Sequence, residues 1–336
     1  MRGEFRFAAG MTATLLLCSC SGSQSALDPQ GPHAQQLASL FWIFTAVSAF
    51  VWLAVMGVLL AGLARPVPER PDPLVLAPAV ERRRLVIVGG AAVATLLTVV
   101  ALTALSYLSQ RQLFARERAA VTIKVTGYQW WWDVRYENDS PERTFTTANE
   151  IYVPVGVPVT VKLAANDVIH SFWVPSLMGK LDLIPGQDNE IQFVASRPGV
   201  YRGQCAEFCG WQHAHMGLLV IALPSAEFQA WSEAQRAPAA APADAERQRG
   251  ADLFASKACV MCHTIRGTSA GSRVGPDLTH FGSRKSIASA TLPMSRGNIA
   301  AWIIDPQGIK PGVNMPNVSI AAEEIDSLVS YLAGLR

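Results

Sequence analysis

Charged residues are scarce in this chain: 16% of its 336 residues are Asp, Glu, Lys or Arg, while half are apolar. The mean hydropathy is +0.22, high for a purely soluble protein. A net charge of +2 gives no reason to look for nucleic acid, and no nucleic-acid partner is expected. Cysteine is also rare. The six cysteines form three pairs, Cys18/Cys20, Cys205/Cys209 and Cys259/Cys262, each in a different kind of sequence, which argues against a disulfide framework. Nothing in the chain reads as an acid–base pair or a substrate pocket of its own. Two stretches, 37–64 and 85–110, lack charge altogether.

Each of those stretches exceeds the ~20 apolar residues that span a bilayer, so two transmembrane helices are expected. A buried helical hairpin of a soluble domain is the competing reading. The loop between them carries Arg65, Arg70, Arg82, Arg83 and Arg84, which places it on the cytoplasmic side and both hairpin ends outside. With no charged residue inside either span, neither is expected to relay protons. Ahead of them, a charged start (MRGEFRF) and an apolar run from Met11 to Leu17 form a secretory signal pattern over residues 1–20. Leu17-Cys18-Ser19-Cys20 is similar to a lipoprotein processing site that would leave Cys20 lipidated; simple cleavage nearby is the alternative.

From Val121 onward the pattern changes. VTIKVTGYQWWWDVRY, IYVPVGVPVTVKL, NEIQFVA and GLLVIAL are rich in β-branched and aromatic residues and are separated by Pro and Gly, which predicts an all-β sandwich or barrel over 119–235. Within it, CAEFCGWQHAHM places Cys205, Cys209, His213 and Met216 in one loop. These soft ligands suit copper, and a second imidazole is supplied by His170 in NDVIHSFWVPS. Two thiolates, two imidazoles, the Met216 thioether and the Glu207 carbonyl form an inventory for two copper ions. Taken alone, the cysteine pair also reads as a disulfide, and two Cys with two His also read as a zinc site. His215 lies two residues past His213 and is taken as a supporting or surface histidine.

APAAAPADAE, within 236–246, reads as a semi-rigid linker. The region 247–336 then carries Cys259-Val260-Met261-Cys262-His263, a covalent haem c attachment pattern in which His263 reaches the iron. Redox and zinc pairs share that spacing. The sixth ligand should be a methionine on a later loop. Met315 in KPGVNMPN, before an amphipathic closing helix with Ile325, Leu328, Val329 and Leu332, is preferred to Met294, which is read as packing. Residues 119–235 hold seven basic and twelve acidic residues, and 250–336 hold eight basic and six acidic. These are either two ordinary solvated surfaces or an acidic module that receives a basic redox partner.

The copper-type loop together with HSFWVPS, and the haem motif downstream, resemble subunit II of haem–copper cytochrome c oxidases of the variety with a fused cytochrome c. That resemblance implies a multidomain membrane protein: a two-helix hairpin, an all-β cupredoxin-like domain and an all-α cytochrome c domain. It implies a dinuclear CuA centre held by His170, Cys205, Glu207, Cys209, His213 and Met216. It also implies haem c bound through Cys259, Cys262, His263 and Met315, with Pro276 near the proximal histidine. In GYQWWW the first tryptophan, Trp130, is by position the family's point of electron input, although clustered tryptophans also simply pack cores. The Glu207 side chain is implied in a Mg²⁺ site against subunit I, and Asp167 lies near that contact without being a ligand. Implied partners are subunits I and III, cytochrome c or another electron donor, and membrane lipid. The implied setting is the bacterial plasma membrane, with both redox domains on the outer face. Electrons would pass from haem c through CuA to haem a of subunit I, where dioxygen reduction and proton pumping take place. A CuA-containing nitric oxide reductase subunit and a membrane-tethered copper chaperone or sensor are the alternatives.

Overall fold

Residues 22, 24–66, 78–113 and 118–336 are described by the structure, a computed structural model. The expected signal region 1–20, with Cys18 and Cys20, lies outside the described residues, as does Arg70 of the basic loop. Two units are distinguished, 36–115 and the combination of 1–35 with 116–336.

The first unit is a helical hairpin. Helices α1 (Pro32–Leu63) and α2 (Pro78–Leu113) each contain an 18-residue window of mean hydropathy 2.4 or 2.5, none of it buried. α1 begins ahead of its uncharged stretch and α2 runs past both ends of its own, because backbone hydrogen bonding continues where the hydrocarbon-like composition stops. Gln36 Nε2 donates to Ser109 Oγ at 2.8 Å, which ties one end of α1 to α2.

The second unit contains the β-sandwich that the β-type runs predict. Its first sheet has the order β3-β2-β1-β5-β8: β1 (Val121–Tyr128), β2 (Trp131–Glu137), β3 (Phe145–Ala148), β5 (Val159–Ala165) and β8 (Asn189–Phe193). The other has the order β4-β10-β9-β6-β7: β4 (Glu150–Pro154), β6 (His170–Trp173), β7 (Leu181–Leu183), β9 (Gly199–Cys205) and β10 (Gly217–Leu223). The pairs β1–β5 and β4–β10 are parallel, which gives the Greek-key crossing of a cupredoxin-like sandwich. In β1 the inward positions Ile123, Val125 and Gly127 alternate with half-exposed ones, the period of a strand with one face on a core. Trp132, Phe172, Phe193, Leu163 and Leu218 fill the space between the sheets.

Helix α3 (Ser225–Arg236) returns along the sandwich, where Trp231 stacks on Tyr152 with ring centroids 4.3 Å apart. The stretch after it is held by Ala239 N donating to Arg266 O at 2.9 Å and by His280 Nε2 donating to Ala237 O at 3.1 Å. The C-terminal region is helical, with α4 (Ala245–Ser256), α5 (Arg296–Ile304) and α6 (Ala322–Gly334). Asp244 caps α4 by accepting from Arg247 N, and Ser295 caps α5 by accepting from Asn298 N. Phe254, Ile265, Ile299, Leu328 and Leu332 form its own apolar core. The predicted closing helix is α6, with Leu328, Val329 and Leu332 on its buried face.

The helical region lies against the sandwich through polar contacts. Glu150, 1% exposed, accepts from Lys285 N (2.8 Å), Ser286 N (2.9 Å) and Ser286 Oγ (3.1 Å). Gly217 N donates to Ser289 O at 3.0 Å, and Ser289 Oγ donates to Gly217 O at 2.6 Å. Burial pushes the Glu150 carboxyl up, while nearby Arg284 and these donors pull it back down. The acidic sandwich and the basic helical region therefore meet within one chain.

Candidate metal and haem sites

The copper-type residues converge at one end of the sandwich. β9 ends at Cys205, β10 begins just after Met216, and the loop between them folds over the first residue of β6, His170. Cys205 Sγ lies 3.8 Å from Cys209 Sγ, 3.9 Å from His170 Nδ1 and 3.2 Å from Glu207 O. Cys209 Sγ lies 3.6 Å from His213 Nδ1 and 3.8 Å from Met216 Sδ. All six predicted donors thus face one volume. The two cysteines are free, so the disulfide reading is not the one present. Among the described residues, His170, Cys205 and Cys209 are the group whose ligand atoms lie close enough for a shared metal, and all three are buried.

Backbone and neighbours fix this arrangement. Gly127 of β1 is required because a Cβ there would come within 2.7 Å of the His170 ring. Asp167 Oδ1 lies 2.8 Å from His170 Nε2, and a carboxylate there can only accept, so Nε2 carries the proton and Nδ1 turns its lone pair to the sulfurs. The other Asp167 oxygen accepts from Gln129 N at 2.7 Å. Sequence reasoning placed Asp167 near the site without this role; its position three residues before a ligand-type histidine is the signal that could have revealed it. The Cys205 thiol is pushed down to about 4, first by the hydrogen bond from Cys209, with burial opposing the fall. Cys209 is pushed up by the same hydrogen bond and by burial. A thiophilic cation binding here would displace the thiol protons. Lys180 Nζ pairs with the Glu207 carboxylate and lies 3.7 Å from Asp182 Oδ1. His215 is exposed, with Nδ1 2.7 Å from Gln212 Oε1, and does not face the sulfurs.

The helical region encloses a cavity of about 330 Å³ lined by Cys259, Cys262, His263, Pro276 and Met315, among mostly apolar side chains. His263 Nδ1 lies 2.8 Å from Pro276 O, and since a carbonyl only accepts, Nδ1 is protonated and Nε2 is free to bind a metal. Gly275 makes room for that ring, since a Cβ would approach its Cε1 to 2.8 Å. Burial pushes the His263 pKa down, which favours the neutral ligand form. Gln307 Nε2 donates to Val313 O (2.7 Å) and Met315 O (2.8 Å), holding the Met315 loop on the cavity wall. Met294 does not line the cavity and packs on the helical core.

Trp130 belongs to both sites. It is 8% exposed, lines the cavity beside Gln129 and Trp131, and donates from Nε1 to Cys209 O at 2.8 Å. Gln129 Nε2 donates to the same carbonyl at 2.7 Å.

Residues 138–223 match the model of the cytochrome c oxidase subunit II periplasmic domain, and residues 247–336 match that of cytochrome c. Cytochrome c oxidase subunit 2 of Alkalihalophilus pseudofirmus is 35% identical over 333 residues, covering 96% of this chain and 94% of that one. The chain belongs to the cytochrome c oxidase subunit 2 family. The subunit 2 of Bacillus sp. strain PS3 is 32% identical over 257 residues, covering 73% of this chain and 70% of its own length. Among solved structures, the periplasmic domain of subunit II of the Bradyrhizobium japonicum cytochrome oxidase is 34% identical. It covers 36% of this chain and 96% of that chain, with a TM-score of 0.34. Members of this family are subunits of cytochrome c oxidase, an oxidoreductase. The fold class expected from the sequence is the one present: two apolar helices, a cupredoxin-like domain and a helical cytochrome c domain. A subunit 2 with these domains is a two-pass membrane protein with periplasmic domains, associates with other oxidase subunits, and uses copper and haem c.

Proposed function

We propose that this subunit is the electron-input component of a respiratory terminal oxidase. In this reading haem c receives electrons from a cytochrome c or another donor, and they continue through dinuclear CuA to haem a of subunit I, where dioxygen is reduced to water with proton pumping. Subunits I and III are the assembly partners, and the bacterial plasma membrane is the setting. The observation that carries the reading is Trp130, which lines the haem-type cavity with Cys262 and His263 and donates to the Cys209 carbonyl.

The residues fit the groups required. Two sulfurs 3.8 Å apart, with an imidazole nitrogen beside each, a thioether and a backbone carbonyl, match the donor set for a thiolate-bridged copper pair. We assign His170, Cys205, Cys209, His213, Met216 and the Glu207 carbonyl to that pair. Cys259 and Cys262 would hold the haem covalently, and His263 and Met315 would bind its iron. When bound, the copper pair and the haem iron each take up and release single electrons. The chain holds both sites in fixed geometry: Asp167 orients His170, Pro276 orients His263, and Cys205 and Cys209 are buried away from water. The Glu207 carboxylate already pairs with Lys180, so a Mg²⁺ site there requires that ion pair to open and acidic groups from subunit I to join it.

Electron paramagnetic resonance of the full chain in its oxidase tests this proposal. The expected spectrum has hyperfine coupling shared by two equivalent copper nuclei, together with a low-spin haem. Coupling to a single isolated copper would defeat the dinuclear assignment. A copper chaperone or sensor has no use for the Trp130 bridge to a haem cavity. A nitric oxide reductase subunit would show the same spectrum, and is separated by whether the purified complex consumes dioxygen or nitric oxide.

A further inference from the structure

Lys310 is the most deeply buried cation of the helical region, 2% exposed, and lies on the wall of the haem-type cavity. Its Nζ donates to Trp130 O at 2.7 Å and to Ala288 O at 3.2 Å. No acidic side chain pairs with it among the described residues. An ammonium kept out of water by two carbonyls, with only the nearby Cys209 sulfur to offset its charge, is costly, and a well-packed apolar side chain serves stability as well or better. Burial pushes its pKa down to about 7, the physical sign of that cost. Its position explains its use. Lys310 opens the loop that leads to Met315, and the same loop is tied to the copper-type loop by Gln212 Nε2 donating to Pro311 O at 2.8 Å.

We infer that Lys310 is a positioning residue for electron transfer between the two sites, clamping the Met315 loop onto the carbonyl of Trp130. The path is then a short series of bonded and hydrogen-bonded atoms: the Met315 loop, Lys310 Nζ, the Trp130 carbonyl and ring, Trp130 Nε1 and the Cys209 carbonyl, ending at the Cys209 sulfur. The single electron crossing it leaves an iron(II), which becomes iron(III), and enters the sulfur-bridged copper pair; no proton moves and no covalent bond forms or breaks. The inference rests on the proposed haem-to-copper direction of flow.

The test uses the assembled oxidase, with a photoexcited ruthenium polypyridyl complex as the source of one electron to haem c. Haem reoxidation is followed in the visible and copper reduction in the near infrared. In Lys310→Met, which keeps an apolar stem and drops the donor, transfer is expected to slow at least several-fold, because the hydrogen-bonded link to Trp130 O is lost. The copper hyperfine pattern and haem spectrum should stay unchanged. The haem midpoint potential should fall, because a nearby cation stabilises the reduced state and a merely structural residue would leave it in place. Lys310→Gln, measured alongside, retains a polar tip too short for the Trp130 carbonyl and should be slowed likewise. Rates within twofold of the parent in either variant, with both spectra intact, overturn the inference. Failure of the unsubstituted oxidase to reduce copper from haem c overturns the direction of flow instead.

Discussion

The sulfur cluster and the haem-type cavity lie in the same unit but owe their shape to different causes. The cluster sits at the end of a β-sandwich whose interior is already filled by Trp132, Phe172, Phe193 and Leu218. Its donors face one another across 3.2–3.9 Å, held by strand ends and by Gly127 and Asp167. The cavity is instead the centre of the helical region: Ile299, Ile303, Leu328 and Leu332 belong both to that region's core and to the cavity wall. A metal pair is therefore an addition to a finished frame, whereas the porphyrin is part of the core it enters. Small domains with thin cores depend on such additions for their stability.

The largest expected effect breaks this comparison most directly. Cys262→Ser should abolish normal covalent haem attachment, read by haem staining after denaturing electrophoresis, and should destabilise the helical region enough to remove its thermal transition. Cys209→Ser should lose the two-copper hyperfine pattern yet shift unfolding of the sandwich by only about 1 kcal/mol, the usual scale of a single substitution. Loss of the sandwich transition in Cys209→Ser, matching the loss in the helical region, would refute the idea of a finished frame. Next in size is Met315→Leu, which should leave haem attached and open its sixth position to carbon monoxide, seen as a shifted Soret band. Met294→Leu, a near volume-conserving swap on the helical core, should cost about 1 kcal/mol and leave carbon monoxide binding at the parent level. The reverse pattern would move the axial role to Met294.

What was legible in the sequence follows from how local each signal is. The attachment motif and the copper-type loop lie within twelve residues or fewer, so ligand chemistry alone pointed to them. The long β runs and the two uncharged helices carry their periodicity or composition in every residue. Strands β6, β7 and β9 did not announce themselves: HSFW and LDL are too brief for alternation to register, and β9, though seven residues long, contains two glycines and a polar middle. Contacts between distant segments were illegible for the same reason. Nothing near Glu150 in sequence indicates that Lys285 and Ser286 donate to it, and Lys310 reads as a surface lysine until the fold places it under Trp130.

Asp167→Asn sharpens the comparison on the copper side. The amide can present its oxygen or its nitrogen to His170 Nε2, but it loses the charge that fixes the imidazole, and such losses cost about 10- to 100-fold in metal affinity. Competition with a copper chelator measures this, and the sandwich should melt as before. Unaltered copper retention would mean that the strand ends alone orient His170.

The smallest effect tests the seam between the two regions. Asp133 on β2 faces Arg273, Asp277 and Arg135, and burial pushes its carboxyl from 3.8 up to about 6, with Arg273 opposing and Asp277 reinforcing the rise. The folded protein thus holds this proton more tightly than the unfolded chain. The resulting stability is fully present below about pH 4 and is lost as pH rises through about 6. A tenfold difference in proton affinity between the two states corresponds to about 1.4 kcal/mol; because the group is only partly buried, solvent screening reduces the expected contribution to about 1 kcal/mol in total. Asp133→Asn should remove that slope, so that the difference in unfolding midpoint between variant and parent grows in the variant's favour from pH 4 to pH 6 and is constant above about 7. A difference that stays flat across the range would show that Asp133 is solvated in the folded chain and takes no part in holding the seam.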